Sequence, residues 1–171
     1  MSDYLKIKVV SFKKDIEIVE SLAKEIWEQH YLPIIGKAQV EYMLNKYQSV
    51  DAISQSIKDG YIYYIAYYKD KPCGYSAIVQ DKGIFLSKFY VRNTLRGKGL
   101  GKAMLDTIYK FTAEHNLNRI WLTCNKYNSK SLNIYKKLGF EIVSEIVTDI
   151  GNGYVMDDYI LEKHTSFKLK K

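Results

Sequence analysis

The sequence feature that most constrains the fold is a glycine-rich stretch, RGKGLGK at residues 96–102, which lies between a predicted strand and a predicted helix. The strand ends with the run FYV at Val91, and the apolar residues Leu100, Met104 and Ile108 predict a helix that begins within the stretch. Glycine lets a backbone approach a ligand closely, and the unpaired N–H groups at a helix N-terminus attract phosphate groups. The stretch therefore predicts an α/β fold with a phosphate-binding loop at a strand-to-helix junction.

Two common phosphate-binding motifs do not fit this loop. A Walker A motif requires a glycine where the chain has Arg96, and Ser or Thr where it has Ala103. A Rossmann motif that starts at Gly97 requires its third glycine at the position of Lys102. The loop is therefore predicted to be of a third kind.

Positive charge is concentrated around the same loop. The chain of 171 residues has a net charge of +7, and residues 91–137 alone carry ten basic and two acidic residues. A pocket for a multiply phosphorylated ligand requires such a local excess. A nucleic-acid backbone would be satisfied by the same charge, so a nucleic-acid binding module stays open as an alternative, although no nucleic-acid signature is present.

Hydrophobic periodicity divides the chain into helices and strands without an internal repeat or a linker. We predict one domain over residues 1–164, followed by a flexible basic tail at 165–171. The expected elements in chain order are a strand at 4–10, a helix from Asp15 to near Pro33, a loop at 32–36, a helix that contains Val40 to Tyr47, a helix from Ser49 to Lys58, three antiparallel strands within 60–91, the long helix after Gly99, a strand at 119–124, a helix at 128–138 and a hairpin around 151–153.

A second informative segment is NSKSLNIYKKLGF at residues 128–140. On a helix that begins at its first residue, Asn128, Ser131 and Tyr135 lie within about one sixth of a turn of one another and share a face. Gly139 is typical of the residue that follows a helix. The three polar side chains are therefore predicted to line one ligand site.

The two segments together resemble the GNAT superfamily of N-acetyltransferases, which depend on acyl-coenzyme A. The family pattern Q/R-x-x-G-x-G/A is matched by Arg96, Gly99 and Gly101, and the family's Asn, Tyr and Gly-Phe signature is matched within residues 128–140. The motif-bearing part covers residues 60–162. The resemblance implies a mixed, mostly antiparallel central sheet of about seven strands with helices on both faces.

The resemblance also implies that acetyl-coenzyme A is bound by the loop and by the strand before it. The pyrophosphate would meet the loop amides, and the pantetheine arm would pair with the strand at Phe89 and Val91, whose amides point the same way. The cofactor-binding residues implied in this way are Phe89, Tyr90, Val91, Arg96, Gly97, Lys98, Gly99, Leu100, Gly101, Lys102, Asn128 and Ser131.

For the reaction, the resemblance implies direct attack of a neutral amine on the thioester. A backbone amide near Phe89 to Val91 would stabilise the oxyanion, and Tyr135 would be the catalytic general acid that protonates the departing thiolate. The alternative for Tyr135 is a packed aromatic side chain, in a chain that has sixteen tyrosines.

The general base stays open, because the strand FLSKFYV has Ser87 and Lys88 in the region where many relatives carry a glutamate. The remaining candidates are carboxylates and a histidine near the first helix and the last hairpin. They are Glu28, His30, Asp149, Asp157 and Asp158.

The acceptor pocket of the family lies between the first helices and the last strands. Aromatic and acidic residues in those parts of the chain suit a cation. We therefore expect a small-molecule primary amine, with a polyamine as one candidate, because WEQHYLPIIG and IGNGYVMDDY are similar to bacterial acetyltransferases related to the spermidine and spermine enzymes. The predicted acceptor-site residues are Trp27, His30, Tyr31, Asp149 and Asp157.

Two functions within the same fold stay open as alternatives to a small-molecule acetyltransferase. One is a protein acetyltransferase that acts on N-termini or lysines, and the other is a regulator that binds coenzyme A without turnover. The oligomeric state is open as well, with a homodimer as one option. Since no signal peptide or membrane-spanning segment is apparent, we expect a cytoplasmic protein without nucleic-acid, membrane or metal partners.

Overall fold

A computed structural model describes residues 4–165, which form one seven-stranded sheet and five α-helices. In chain order the elements are β1 (Leu5–Val9), α1 (Lys13–Ile35), α2 (Lys37–Tyr47), α3 (Val50–Lys58), β2 (Ile62–Tyr68), β3 (Lys71–Gln80), β4 (Ile84–Val91), α4 (Leu100–Glu114), β5 (Arg119–Asn125), α5 (Ser129–Lys137), β6 (Glu141–Gly151) and β7 (Tyr154–His164). A 3₁₀ turn at Asn93–Leu95 separates β4 from α4. This order confirms the predicted sequence of elements.

The strands lie in the spatial order β1-β2-β3-β4-β5-β7-β6. Every neighbouring pair is antiparallel except β4 and β5, which are parallel. The mixed, mostly antiparallel sheet predicted from the sequence is thereby confirmed. The β2–β3 turn is made by Lys69 and Asp70, whose φ angles are 51° and 59°, a conformation that a tight hairpin turn requires.

Helices cover both faces of the sheet, as predicted. On one face, Leu22 of α1 belongs to a buried cluster that includes Tyr75 of β3. On the opposite face, Ile108 of α4 belongs to a second cluster with Ile84 of β4 and Ile120 of β5. Each helix buries one apolar side in this way, because removing that surface from water is the main favourable contribution to folding.

The first helix is longer than the sequence predicted. It continues through Pro33 to Ile35, so the loop predicted at residues 32–36 is wrong. Proline lacks an N–H and disfavours a helical conformation in the residue before it, which is why an earlier end was expected. Burial of the last turn outweighs this preference, because Tyr31 and Ile35 pack against the core and the Gly36 N–H closes the turn with a hydrogen bond of 3.1 Å.

The parallel pair of β4 and β5 is short and leaves an opening in the sheet. Within the described residues, the two strands pair only at Ile84 with Ile120 and at Phe85 with Trp121. Beyond these pairs an additional residue, Ser87, interrupts the register of β4 with β3, and such a bulge bends a strand. The second half of β4 therefore faces β5 across an open cleft.

The described chain ends just after β7. The N–H of Thr165 donates a hydrogen bond of 2.8 Å to the Asn118 carbonyl, so the first residue of the predicted tail is held next to the sheet. The rest of that predicted tail, 166–171, lies outside the described residues. No helix within residues 4–165 combines the length and the apolar character needed to cross a membrane.

Candidate active site

A cavity of about 530 Å³ occupies the open cleft between β4 and β5. One end is bounded by the glycine-rich loop and the start of α4, and the other end by α1, the end of α2 and β7. Every residue predicted to bind the cofactor lines this cavity except Lys98, whose Nζ lies 5.3 Å from the ring centroid of Tyr68. The cleft therefore brings the two motif segments of the sequence to one site.

The glycine-rich loop presents unpaired amides to the cavity. Gly97 and Gly99 have φ angles of 80° and 79°, which are readily adopted only by glycine. Within the described chain, the amides of residues 97–102 donate no hydrogen bond, and the first helical bond of α4 is from Ala103 N–H to the Gly99 carbonyl at 3.0 Å. A set of unpaired N–H groups at a helix N-terminus is an anion site.

Cationic side chains surround this end of the cavity. Arg96, Lys102 and Lys130 all line it. The Arg96 side chain is oriented by a hydrogen bond of 3.3 Å from its Nε to the Val91 carbonyl. Lys102 forms an ion pair with Asp106 on the next turn of α4, with 3.4 Å between Nζ and Oδ2. The loop end therefore combines backbone dipoles with full positive charges, which suits phosphate groups.

The open edge of β4 supplies further unpaired amides. The Arg92 N–H, one residue after β4, donates a hydrogen bond of 2.8 Å to the Cys73 carbonyl on β3. Amide directions alternate along a strand. The amides of Phe89 and Val91 therefore point away from β3 and into the cleft, where β5 is too distant to pair with them.

Asn128 joins the two walls of the cavity. It is the N-cap of α5, where its side-chain oxygen accepts a hydrogen bond of 3.3 Å from the Ser131 N–H. The same oxygen lies 3.2 Å from Nε2 of His30 on α1, and Asn128 is only 2% exposed. Ser131 and Tyr135 follow on the side of α5 that lines the cavity, as their spacing predicted.

The Tyr135 ring is packed while its hydroxyl lacks a hydrogen-bond partner within residues 4–165. The ring lies edge-on to Phe140 with 5.7 Å between centroids, and 6.4 Å from the ring of Phe89. Burial raises the pKa of the hydroxyl well above its ordinary value, with further contributions from Cys124 and Tyr31. The hydroxyl therefore stays protonated at neutral pH and is available as a proton donor.

Residues 19–140, more than half of the chain, match the Acetyltransferase (GNAT) family. The chain belongs to the GNAT acetyltransferase family. GNAT enzymes use acetyl-coenzyme A, and the matched range includes both the glycine-rich loop and the Asn128 helix. The resemblance inferred from the two motif segments is thereby confirmed.

Curated relatives match shorter parts of this GNAT chain. A spermine/spermidine N(1)-acetyltransferase of Bacillus subtilis is 31% identical over 64 residues, which are 37% of this chain and 42% of the relative. An uncharacterized N-acetyltransferase of Mycobacterium bovis is 29% identical over 89 residues, which are 48% of this chain and 57% of the relative. The chain therefore spans about half the length of these curated relatives.

Solved structures match nearly the whole GNAT fold. The PaiA N-acetyltransferase of Thermoplasma acidophilum, solved in complex with coenzyme A, has a TM-score of 0.76 at 20% identity and covers 93% of this chain and 99% of its own. A GCN5-related N-acetyltransferase of Rhodopseudomonas palustris has a TM-score of 0.79 at 13% identity, with coverages of 96% and 98%. At these identities the likeness establishes a shared fold.

The far end of the GNAT cavity is aromatic, and three residues predicted for the acceptor site lie there. Trp27, His30 and Tyr31 of α1 all line it, and the Trp27 and Tyr31 ring centroids are 4.5 Å apart. Tyr90 of β4 completes the wall, with its ring centroid 5.7 Å from that of Trp27. Burial raises the pKa of the Tyr31 hydroxyl to about 12, so it remains neutral at physiological pH.

The two predicted acidic residues of the acceptor site do not line the cavity. Asp157 forms an ion pair with Lys126, with 2.7 Å between Oδ1 and Nζ. Asp149 accepts a hydrogen bond of 2.8 Å from the Gly151 N–H near the end of the last hairpin. Both carboxylates interact with nearby groups of their own, and the structure does not bring them to the aromatic residues of α1.

Asp158 is the carboxylate that faces the GNAT cavity. It is 3% exposed, and its Oδ1 has no hydrogen-bond partner within the described residues. Burial raises its pKa to about 6, an effect that a hydrogen bond from Thr123 opposes and the charge of Asp157 increases. A carboxylate of this kind is ionised at neutral pH and is a stronger base than an ordinary aspartate.

The other base candidates differ in placement. Glu28 is exposed and does not line the cavity. His30 does line it, and its pKa is lowered by burial and by the charges of Arg96 and Lys130, although the contact with Asn128 acts in the opposite direction. His30 is therefore neutral at physiological pH, and its Nε2 is engaged with Asn128.

Lys88 and Gln48 are among the polar residues that line the GNAT cavity without having been assigned a role from the sequence. Lys88 was visible only as a basic residue in an apolar strand. Gln48 follows α2 directly, and a polar residue after a helix gives no indication that it is buried. The burial of Gln48 becomes apparent only from the packing of α2 against the sheet.

Proposed function

We propose that this chain transfers the acetyl group of acetyl-coenzyme A to a primary amine. The observation that carries the proposal is the continuity of one cavity, which connects the unpaired loop amides to an aromatic and acidic end past the open edge of β4. A donor bound at the loop would present its thioester near Tyr135, where an amine bound at the other end could reach it.

The residues at the loop end fit acetyl-coenzyme A. The amides of residues 97–102 suit a pyrophosphate, and Arg96 and Lys130 add positive charge. A Cβ atom built on Gly97 or Gly99 would meet no atom within 4 Å, so space for a ligand is present there. The cleft-facing amides of β4 suit the amide groups of the pantetheine arm, which would add as an extended strand.

The chain supplies orientation and proton transfer, while acetyl-coenzyme A supplies the activated acyl group. Asp158 accepts the proton that the amine loses as it attacks the carbonyl carbon. The amide of Phe89 or Val91 donates a hydrogen bond to the carbonyl oxygen as negative charge develops there. The Tyr135 hydroxyl protonates the departing sulfur, and the proton on Asp158 returns to Tyr135 through solvent, so that the enzyme is restored.

The acceptor end supports two classes of amine. The rings of Trp27 and Tyr31 and the carboxylate of Asp158 suit an ammonium group before it loses its proton, which favours a small cationic amine such as a polyamine. The name of the Bacillus subtilis relative supports the same class. A second class, amines that carry an anionic group, is favoured by Lys88 at this end of the cavity.

Release of free thiol from acetyl-coenzyme A in the presence of a panel of amines tests the proposal. We expect thiol release that requires both protein and amine, with a product heavier by one acetyl group. Thiol release without amine would indicate hydrolysis instead. Binding of coenzyme A with no turnover on any amine would favour a regulator, and acetylation of peptides alone would favour a protein acetyltransferase.

A further inference from the structure

Lys88 is a half-buried cation at the acceptor end of the cavity, and it has no counter-ion among the described residues. It pairs with Ala77 across the sheet, and Tyr90 pairs with Tyr75, so both β4 side chains lie on the face covered by α1. Its Nζ donates a hydrogen bond of 3.0 Å to Oγ of Ser87, and within residues 4–165 it forms no ion pair. Burial alone lowers its pKa to about 8, so at neutral pH it remains mostly charged.

Gln48 adds an unpaired donor to the same cavity. It is 1% exposed, and its Oε1 accepts a hydrogen bond of 3.2 Å from the Tyr75 hydroxyl. The Nε2 group has no partner within the described residues, although it is buried and lines the cavity. A buried donor without a partner costs stability unless a ligand satisfies it.

Lys88 and Gln48 offer hydrogen-bond donors and positive charge to a ligand at the acceptor end of the cavity. A charge that is partly withdrawn from water and lacks a partner costs free energy, and a lysine and an amide N–H₂ group are both satisfied by a carboxylate. A second ammonium group on the ligand would instead be repelled by Lys88. Asp158 of β7 lines the same cavity and offers an unpaired carboxylate oxygen, which an amine would satisfy.

We infer that the acceptor is a primary amine that also carries a carboxylate, with its amine at Asp158 and its carboxylate at Lys88 Nζ and Gln48 Nε2. This inference rests on the acetyl transfer proposed above and narrows its substrate class. It replaces the polyamine as the preferred acceptor. The chemistry that recognises the ligand is one negative group and one amine on the same small molecule.

Three primary amines of one chain length, which differ only in the distal group, test the inference. They are 4-aminobutanoate, n-butylamine and 1,4-diaminobutane, and kcat/KM is measured for each with saturating acetyl-coenzyme A. We expect the carboxylated amine to be at least ten-fold better than the neutral one, and the diamine to be the poorest. Equal values for the carboxylated and neutral amines, or a preference for the diamine, would overturn the inference while leaving acetyl transfer intact.

The variant Lys88→Met removes the charge at similar length and should abolish the preference, because it raises KM for 4-aminobutanoate and does not raise KM for n-butylamine. Lys14→Met, on the exposed first turn of α1, changes the net charge equally and should leave the preference unchanged.

Binding of the same amines to the coenzyme A complex, measured by calorimetry, decides the inference even without turnover. Absence of turnover together with carboxylate-dependent binding would count against the proposed reaction alone, and binding that ignores the carboxylate would refute the inference.

Discussion

At the scale of single residues, Asp157 and Asp158 show how neighbours in one strand reach different environments. Asp157 pairs with Lys126, whereas Asp158 is buried and faces the cavity. Successive residues of a strand point to opposite sides of the sheet. The letters DD do not indicate which aspartate points inward, because that depends on where β6 and β7 begin to pair. For this reason the sequence could propose both as bases but could not choose between them.

Replacement of Asp158 by asparagine should stabilise the protein and remove its activity. A carboxyl whose pKa rises from 3.8 to about 6 on folding makes the folded state less stable as pH rises through that range. Asp158→Asn should therefore increase the free energy of unfolding by roughly 1 to 3 kcal/mol above pH 6, with no gain below about pH 4. Urea denaturation at pH 4 and pH 7, with turnover measured alongside, checks both effects. A variant that is fully active would exclude Asp158 as the base.

The role of Tyr135 can be separated from its packing. Tyr135→Phe keeps the ring against Phe89 and Phe140 but deletes the proton donor, so turnover should fall by about 10² to 10⁴ with donor affinity nearly unchanged. Tyr135→Ala should in addition destabilise the fold by about 3 to 5 kcal/mol. Turnover, coenzyme A affinity and melting temperature of both variants decide the matter. An active and stable Tyr135→Phe enzyme would assign the residue to packing alone.

At the scale of elements, the start of α4 offers a position where an added side chain can block the proposed acetyl-coenzyme A site without straining the backbone. Gly101 has an ordinary helical φ, and a Cβ there would lie 3.9 Å from the Phe89 ring, a normal contact. Gly101→Val should weaken binding of acetyl-coenzyme A at least ten-fold while the helix stays formed, because valine favours helices more than glycine does. Gly101→Ala is the matched control and should bind normally, since the family pattern tolerates alanine. Calorimetric titration with coenzyme A measures both, and full affinity of the valine variant would argue against a pyrophosphate at this helix.

The elements themselves were largely predictable, because their periodicity and end signals are local. Ser49 illustrates this, since its side chain accepts a hydrogen bond from Ala52 N–H as an N-cap should. The end of α1 was not predictable, because the preference set by Pro33 is local whereas the burial of Ile35 depends on the sheet. The opening between β4 and β5 was not predicted, since no sequence pattern marks where parallel strands stop pairing. The family resemblance implied only that the pantetheine arm pairs with the strand at Phe89 and Val91.

At the scale of the whole molecule, acetyl-coenzyme A should stabilise the fold, because it binds the folded state and not the unfolded chain. Acetyl-coenzyme A at 100 times its dissociation constant should add about 2.7 kcal/mol to the free energy of unfolding and raise the melting temperature by roughly 5 to 10 °C. Pantetheine, which lacks the pyrophosphate, should give a smaller shift at the same concentration because it does not reach the loop amides. Identical melting curves with and without coenzyme A would contradict the proposed donor site.

The open half of β4 also bears on how such a protein changes over generations. Its backbone N–H groups are proposed to bind acetyl-coenzyme A, and every residue except proline provides a backbone N–H. Its side chains Lys88 and Tyr90 line the cavity, at the end proposed to bind the amine. Substitutions at these two positions would therefore alter the choice of amine and leave donor binding unchanged. Selection for a new acceptor would begin with a single codon in this strand, which makes the chain readily adaptable.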